Sequence, residues 1–249
     1  MIKLIKQLVC FALTACIAGN TFSQCGTFPP SGLVTVSNPN TVINGYFPGE
    51  SSAVAGANTL TVGAADSRGG ITSINAGDLI MVIQMQGADI NSDNDSKYGS
   101  GSTTDNGKGY ITNTNLIAGK YEYNVVQSVL NLGLVQIITL QYPLVNNFYT
   151  RAFNLGTTQS FQAVVIPKYH DVTINSGASV TCPAWNGTTG GVVAITASNL
   201  VTNNGEINVA GKGFRGGGGK QFGGTGLGLT ISTRLVNLMG GQLAVERMG

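Results

Sequence analysis

The sequence predicts a mainly β protein, and three observations carry that prediction. From about Val34 to Pro167, apolar runs rich in β-branched residues lie between clusters of Gly, Asn, Asp and Ser, and no stretch keeps a helical period for three turns. From His170 onward, shorter apolar runs recur between polar turns. Charged residues make up only 10% of the chain, whereas glycine alone contributes 36 of 249 residues. We expect an N-terminal β-sandwich-like region, then parallel β-helix-like rungs, then a short C-terminal α/β appendage.

The first 23 residues have the pattern of an export signal. Lys3 and Lys6 form a positive start, and a short apolar run follows over residues 8–18. This run is shorter than the roughly 20 residues that span a bilayer, so the pattern favours export over a membrane anchor. Small residues before Gln24 predict that cleavage leaves Gln24 as the first residue of the mature chain.

A second interpretation of the N-terminus is lipidation. Residues 13–16, Leu-Thr-Ala-Cys, resemble a lipobox and would make Cys16 a lipid-modified N-terminus. Either route predicts a secreted or cell-surface protein with no transmembrane helix after the signal.

The charge balance argues against one class of partner. Residues 24–219 carry eight basic and ten acidic side chains, so this part has a net charge of −2 although the whole chain has +2. Nucleic-acid-binding proteins usually show a basic patch with aromatic residues between the cations, and this chain has none. Low charge with abundant Gly, Asn, Thr and Ser instead suits an extracellular β structure, whose partner would be an unidentified surface ligand.

Residues 24–167 are predicted to form one all-β module. Leu79–Met85 is a continuous apolar run typical of a buried strand, and Tyr121–Val126 begins with the alternation of a half-buried strand. Leu134–Leu140 is a third strand candidate, which follows a turn-forming Asn-Leu-Gly.

Residues 168–219 have a different texture, with short and evenly spaced strand candidates. These are Val172–Ile174, Ala178–Val180, Val192–Thr196, Leu200–Val201 and Ile207–Val209. From about Asp171 to Gly219 the segment resembles the right-handed parallel β-helix of bacterial surface adhesins. The resemblance implies stacked rungs, each burying a few side chains against its neighbours, and a non-enzymatic role at the cell surface.

One acidic segment raises the question of calcium. Asp89, Asn91, Asp93 and Asp95 recur at every second residue, a spacing at which oxygen ligands could converge on Ca²⁺ in a loop. An EF-hand loop would require Glu at its twelfth position, where Ser100 stands. A solvated acidic loop is therefore the preferred interpretation.

The remaining reactive residues do not form a catalytic motif. Cys25 and Cys182 could form a disulfide in an oxidising compartment or remain two buried thiols. His170, the single histidine, precedes Asp171 at the start of a predicted strand and is expected to be a strand-edge residue. Trp185, the single tryptophan, lies in a predicted loop and is expected to serve packing rather than to form a sugar platform.

The C-terminal segment 220–249 carries the sharpest motif. A glycine-rich loop precedes an amphipathic helix pattern that ends at a Gly-Gly pair, and its backbone N–H groups suit a polyphosphate. Residues 220–246 resemble the ATP-lid glycine box of sensor histidine kinases. The resemblance implies an ATP and Mg²⁺ site to which this segment would contribute Gly224, Thr225, Gly226, Leu227 and Gly228.

The other motifs of a histidine kinase are missing from the sequence, so we expect no kinase activity. A lid loop without its sheet cannot position ATP. The main hypothesis is a non-enzymatic, adhesin-like β protein, truncated or joined to a foreign segment near residue 219. The alternative is a fragment of a sensor histidine kinase that is inactive as given.

Overall fold

The computed structural model describes residues 27–29, 31–89, 117–154 and 157–213. All regular elements in these residues are strands: β1 (Leu33–Val36), β2 (Thr41–Val42), β3 (Gly45–Pro48), β4 (Thr59–Gly63), β5 (Leu79–Asp89), β6 (Tyr121–Asn131), β7 (Val135–Leu140), β8 (Arg151–Asn154), β9 (Thr157–Ile166), β10 (Lys168–Ile174), β11 (Ser179–Thr181), β12 (Thr196–Asn203) and β13 (Glu206–Asn208). The expectation of a mainly β fold is confirmed.

Seven of the strands form one curled antiparallel sheet. Its order is β3-β9-β5-β6-β7-β4, and β8 pairs with β9. An antiparallel bridge between Gly49 and Val62 brings the two ends of this path together. Gly49 allows the approach because a Cβ at that position would collide with the ring of Phe161. The predicted sandwich of two facing sheets is thus replaced by one sheet that curls around its own core.

The concave side of this sheet encloses the first hydrophobic core. Ring and branched side chains from most of the strands meet there, with Phe148 and Phe161 in tilted contact at 5.9 Å between ring centroids. The larger buried members are Phe47, Leu60, Val62, Ile80, Val82, Ile138, Leu140, Phe148, Phe161 and Val165. Because side chains alternate along a strand, only every second residue of β5 and β9 reaches this core.

The other six strands form two parallel sheets of three strands each. One has the order β1-β10-β12 and the other has the order β2-β11-β13. Val34, Val172 and Val201 lie opposite one another in the first sheet, and Thr41, Val180 and Ile207 do so in the second. Each strand of the first sheet leads through a short turn to a strand of the second, so successive pairs occupy equivalent positions.

Turn chemistry sets the change of direction between the two parallel sheets. Asn40 (φ 57°) precedes β2, and Gly177 (φ 80°) precedes β11. The left-handed region favours Gly and tolerates Asn, which explains the residue types found. The turns also bond to each other, since the backbone N–H of Asn40 donates to the Ser179 hydroxyl at 2.7 Å.

A second core lies between the convex side of the curled sheet and the parallel sheets. The alternate side chains of β5 point into it, and side chains of β9 and of both parallel sheets complete it. Its main members are Val36, Tyr46, Leu79, Met81, Ile83, Met85, Val164, Ile166, Ile174, Val180, Cys182, Val192 and Val193. β5 is therefore buried on both faces along Leu79–Ile83, which explains why its sequence is a continuous apolar run rather than an alternating one.

Seven of the eight predicted strands lie mostly within observed ones, and one expectation needs correction. The predicted strand Val192–Thr196 is wrong up to Ile195, since Tyr46 and Asn44 bind the backbone of Val192 and Ala194 in place of a neighbouring strand, and β12 begins only at Thr196. β1 and β2, which precede the antiparallel strands in sequence, pair with the later parallel strands. The described residues show two short parallel sheets, and the finer expectation of a parallel β-helix stays a prediction. Of residues 220–249 the structure describes none, so the appendage stays a prediction.

Candidate functional site

The segment that joins β11 to β12, residues 182–195, is the most unusual part of the described structure. It contains no strand, yet Val192, Val193 and Ala194 are at most 2% exposed. A buried backbone without a strand ladder needs other hydrogen-bond partners, since an unpaired buried N–H or C=O is costly. We call residues 182–195 the clamped segment because side chains of the curled sheet supply those partners.

Two buried amide side chains each bind both backbone groups of one residue. Gln162 of β9 donates to the Gly190 carbonyl at 2.8 Å and accepts from the Gly190 N–H at 2.9 Å. Asn44 donates to the Ala194 carbonyl at 2.8 Å and accepts from the Ala194 N–H at 3.0 Å. Both amides are fully buried, so they replace the ladder bonds that a neighbouring strand would make.

Tyr46 provides a third fixed point between the two amides. Its hydroxyl donates to the Val192 carbonyl at 2.7 Å. Burial raises the pKa of Tyr46, so the phenol keeps its proton and remains a donor. Within the segment, the Gly191 N–H donates to the Pro183 carbonyl at 2.8 Å and draws residues 183–191 into a closed loop.

An ion pair fixes the outer side of the loop. Arg68 binds Asp66 through two nitrogens, with 2.5 Å between Nη2 and Oδ2, and donates through Nη1 to the Ala184 carbonyl at 2.9 Å. The hydroxyl of Thr189 donates to the same Asp66 carboxylate at 2.7 Å. The hydrogen bond from Arg68 is the main reason that the pKa of Asp66 falls to about 2.

A cavity of about 310 Å³ opens beside this loop. Among the described residues, the side chains of Gln86, Ala184, Trp185 and Lys212 line it, together with Gly187, Gly211 and Gly213. The backbone N–H of Trp185 donates to the Lys212 carbonyl at 2.8 Å. This bond joins the clamped segment to the residues after β13. The indole of Trp185 is half-buried, and the glycines leave backbone accessible around it.

Gln86 is half-buried and differs from the buried amides of Asn44 and Gln162 because no described residue bonds to its side-chain oxygen. It lies where the pairing of β5 with β9 shifts register between Gln84 and Gln86. Gln84, its neighbour in the sheet, donates to two carbonyls and accepts from the Tyr149 N–H. The Oε1 of Gln86 is buried, and none of the residues that the structure describes donates a hydrogen bond to it. An unsatisfied buried acceptor is destabilising, so its presence at a cavity wall calls for a functional explanation.

Cys182 lies under the same region and is not an activated nucleophile. The thiol is free and buried, and burial raises its pKa to about 11 even though the nearby Lys212 charge acts in the opposite direction. A protonated thiol is a poor nucleophile. The amino group of Lys212 donates to the Thr181 hydroxyl. Cys25, the other cysteine of the predicted pairing, lies outside the described residues.

The remaining sequence candidates have local roles or lie beyond the described residues. His170 Nδ1 is 2.8 Å from Asp171 Oδ2, while Asp171 Oδ1 accepts from Asn199 Nδ2 at 2.7 Å. These bonds lie where β10 and β12 shift register, which fits a strand-edge role. Asp89 is the last residue of β5, whereas Asn91, Asp93 and Asp95 and the glycine box at residues 224–228 are not described.

Sequence reasoning missed most of this site. The sequence predicts a packing role for Trp185 and gives no prediction for Gln86, Gln162, Asn44 or Lys212. The available signal was an amide within an otherwise apolar strand, as in Ile83-Gln84-Met85-Gln86 and Phe161-Gln162-Ala163. Among the described residues, no helix has the length and apolarity to cross a membrane, and no group of three or more His, Cys, Asp or Glu side chains could hold a metal ion.

The Gln162 clamp predicts a large effect of a nearly isosteric substitution. Gln162→Leu leaves the N–H and C=O of Gly190 buried without partners, and each orphaned group costs about 1–3 kcal/mol. Urea unfolding followed by circular dichroism should show this loss. Gln127→Leu, on an exposed position of β6, is the matched control and should stay within about 0.5 kcal/mol of the natural chain. Equal effects of the two substitutions would contradict the clamp.

The Asp66–Arg68 pair predicts a pH dependence of stability. Because the folded pKa of Asp66 lies below its usual 3.8, the pair stabilises the fold fully above about pH 4 and loses this effect as the pH falls towards 2. Arg68 is 40% exposed, so solvent screening limits the stabilisation to about 1 kcal/mol. The urea midpoints of the natural chain and of Asp66→Asn should therefore differ near pH 6 and converge near pH 2. A difference that stays constant over this range would disprove the assignment.

The comparisons with known proteins leave the interpretation to the site itself. No protein-family model matches the chain, and no curated protein matches its sequence. What the clamped segment and its cavity do must be inferred from their own residues.

Proposed function

We propose that the chain is a non-enzymatic β protein that is exported and acts at the cell surface, in the manner of an adhesin. The observation that carries the proposal is the threefold repetition of one two-strand layer. The layers are β1 with β2, β10 with β11, and β12 with β13, and they align in register in both parallel sheets. Repeated layers of this kind are the unit of the solenoids from which extended surface proteins are built.

We further propose that the three layers belong to a parallel β-solenoid. In a solenoid each layer covers the apolar side chains of the next one. Val172 of the middle layer is 2% exposed, whereas its register partners Val34 and Val201 in the outer layers are 41% and 38% exposed. The exposed fraction is low in the middle layer because that layer has a neighbour on both sides. A further layer on either side would bury the outer valines in the same way.

The curled antiparallel sheet is then an insertion between the first and second layers. Strands β3 to β9 lie between β2 and β10 in the sequence. Insertions in repeat proteins often form the binding face, and here the insertion packs against the clamped segment that carries Trp185. A rigid loop with an aromatic side chain and neutral amides suits recognition of a ligand, because little entropy is lost when a preorganised site binds.

Export and surface location can be tested on the whole chain expressed in a bacterial host. We expect a mature N-terminus at Gln24 and a chain that protease added to intact cells can digest. Cys16→Ser should leave processing unchanged, because in this interpretation Cys16 is part of the removed signal. A lipid label that disappears in Cys16→Ser would instead assign the chain to the lipoproteins.

Two results would overturn the proposal. One is an intracellular chain that retains Met1. The other is binding of ATP by the purified protein with micromolar affinity, which would favour the histidine kinase alternative.

A further inference from the structure

We propose that the cavity beside Trp185 binds one unit of a neutral saccharide, with the sugar ring against the indole and a ring hydroxyl on the Gln86 amide. This inference deepens the proposed function, on which it rests, by naming the class of ligand that the surface protein recognises. Three properties of the cavity support it: its aromatic wall, its unsatisfied amide and the absence of an acidic side chain among the described residues that line it.

The aromatic wall is flat, rigid and partly accessible. Trp185 is half-buried within a loop that Arg68 holds at Ala184 and that Gln162 holds at Gly190. The C–H face of a sugar ring is apolar, so contact with an indole removes apolar surface from water on both partners. Gly187, Gly211 and Gly213 present no side chains, which leaves room for a ring close to the indole.

The unsatisfied amide supplies a polar contact. Gln86 lines the cavity, and its Oε1, which is buried, receives no hydrogen bond from the described residues. The terminal amide of glutamine turns readily about χ3, so either its oxygen or its nitrogen can face the cavity. A hydroxyl group both donates and accepts, and it therefore matches the amide in either orientation.

The charge at the cavity disfavours a cationic ligand and leaves donors for sugar hydroxyls. Among the described residues that line the cavity only Lys212 is charged, and its amino group uses one donor on the Thr181 hydroxyl. The ammonium keeps two further donors that sugar hydroxyls can accept, whereas a cationic ligand would meet its positive charge. The volume of about 310 Å³ is at the lower end of ligand pockets, which suits one ring rather than a long chain.

The single tryptophan makes the inference directly measurable. Trp185 is the only tryptophan of the chain, so its fluorescence reports the cavity alone. We would titrate the purified full chain with methyl glucoside, methyl galactoside, methyl mannoside and N-acetylglucosamine, and with adenosine as an aromatic competitor. At least one saccharide should change the emission saturably, with a dissociation constant on the order of 1 mM for a ligand of this size.

Gln86→Leu is the diagnostic variant, because it separates a binding role from a structural one. It should weaken saccharide binding about tenfold or more through loss of the hydroxyl contact. Since it removes an unsatisfied acceptor, it should leave the melting temperature unchanged or raise it by about 2–4 °C. Gln127→Leu on β6 is the matched control and should bind like the natural chain.

Each outcome decides the inference. Saturable binding that Gln86→Leu weakens, without loss of thermal stability, supports it. A lack of response to all four saccharides, a response to adenosine alone, or equal affinity of the natural chain and Gln86→Leu would overturn it. Because the titration uses purified protein, failed export with intact binding would reject only the surface location, and export without binding would reject only the ligand.

Discussion

The fold depends on one sheet that serves two hydrophobic cores. β5 and β9 bury one set of side chains inside the curled sheet and the alternate set against the parallel sheets. The largest fully buried side chains come from both sets and include Phe161 and Met81. Each fully buried side chain of this kind contributes about 1.5–3 kcal/mol by leaving water. Neither core is therefore complete without these two strands, and this dependence couples the antiparallel and parallel parts.

Packing the clamped segment against the shared sheet buries backbone N–H and C=O groups, and three side chains provide their hydrogen bonds. The clamped segment covers the convex side of the curled sheet and has no strand beside it with which to pair. Asn44, Tyr46 and Gln162 accept and donate the missing hydrogen bonds at Ala194, Val192 and Gly190. The same bonds hold the loop that presents Trp185. A constraint that arises from folding thus provides a preorganised surface for recognition.

Sequence reasoning could predict the strands whose apolar patterns reflect their own burial. Leu79–Met85 was identified because burial on both faces leaves a continuous apolar run. Val192–Thr196 shows the same apolar run because this segment is also buried. Its backbone, however, bonds to side chains that are distant in sequence and not to a neighbouring strand. Periodicity measures burial and cannot show which groups satisfy the backbone.

The candidate site was hidden from the sequence for a related reason. Gln86 and Lys212 come together through the packing of β5 against residues that follow β13, and no local pattern records such a contact. The parallel pairing of β1 with β10 is similarly remote, with Val34 and Val172 separated by the whole antiparallel sheet. Local signals therefore predict the class of fold, whereas its topology and its site depend on contacts between distant residues.

Amide hydrogen exchange of the full chain, followed by mass spectrometry, tests the central claim most directly. If buried side chains replace a strand, the amides of residues 190–194 should exchange as slowly as those of β5 and β9, because both groups open only with the shared core. The exposed turn at residues 131–134 should exchange much faster. Exchange of residues 190–194 at the rate of that turn would contradict the account, since it would show that the segment is not held against the sheet.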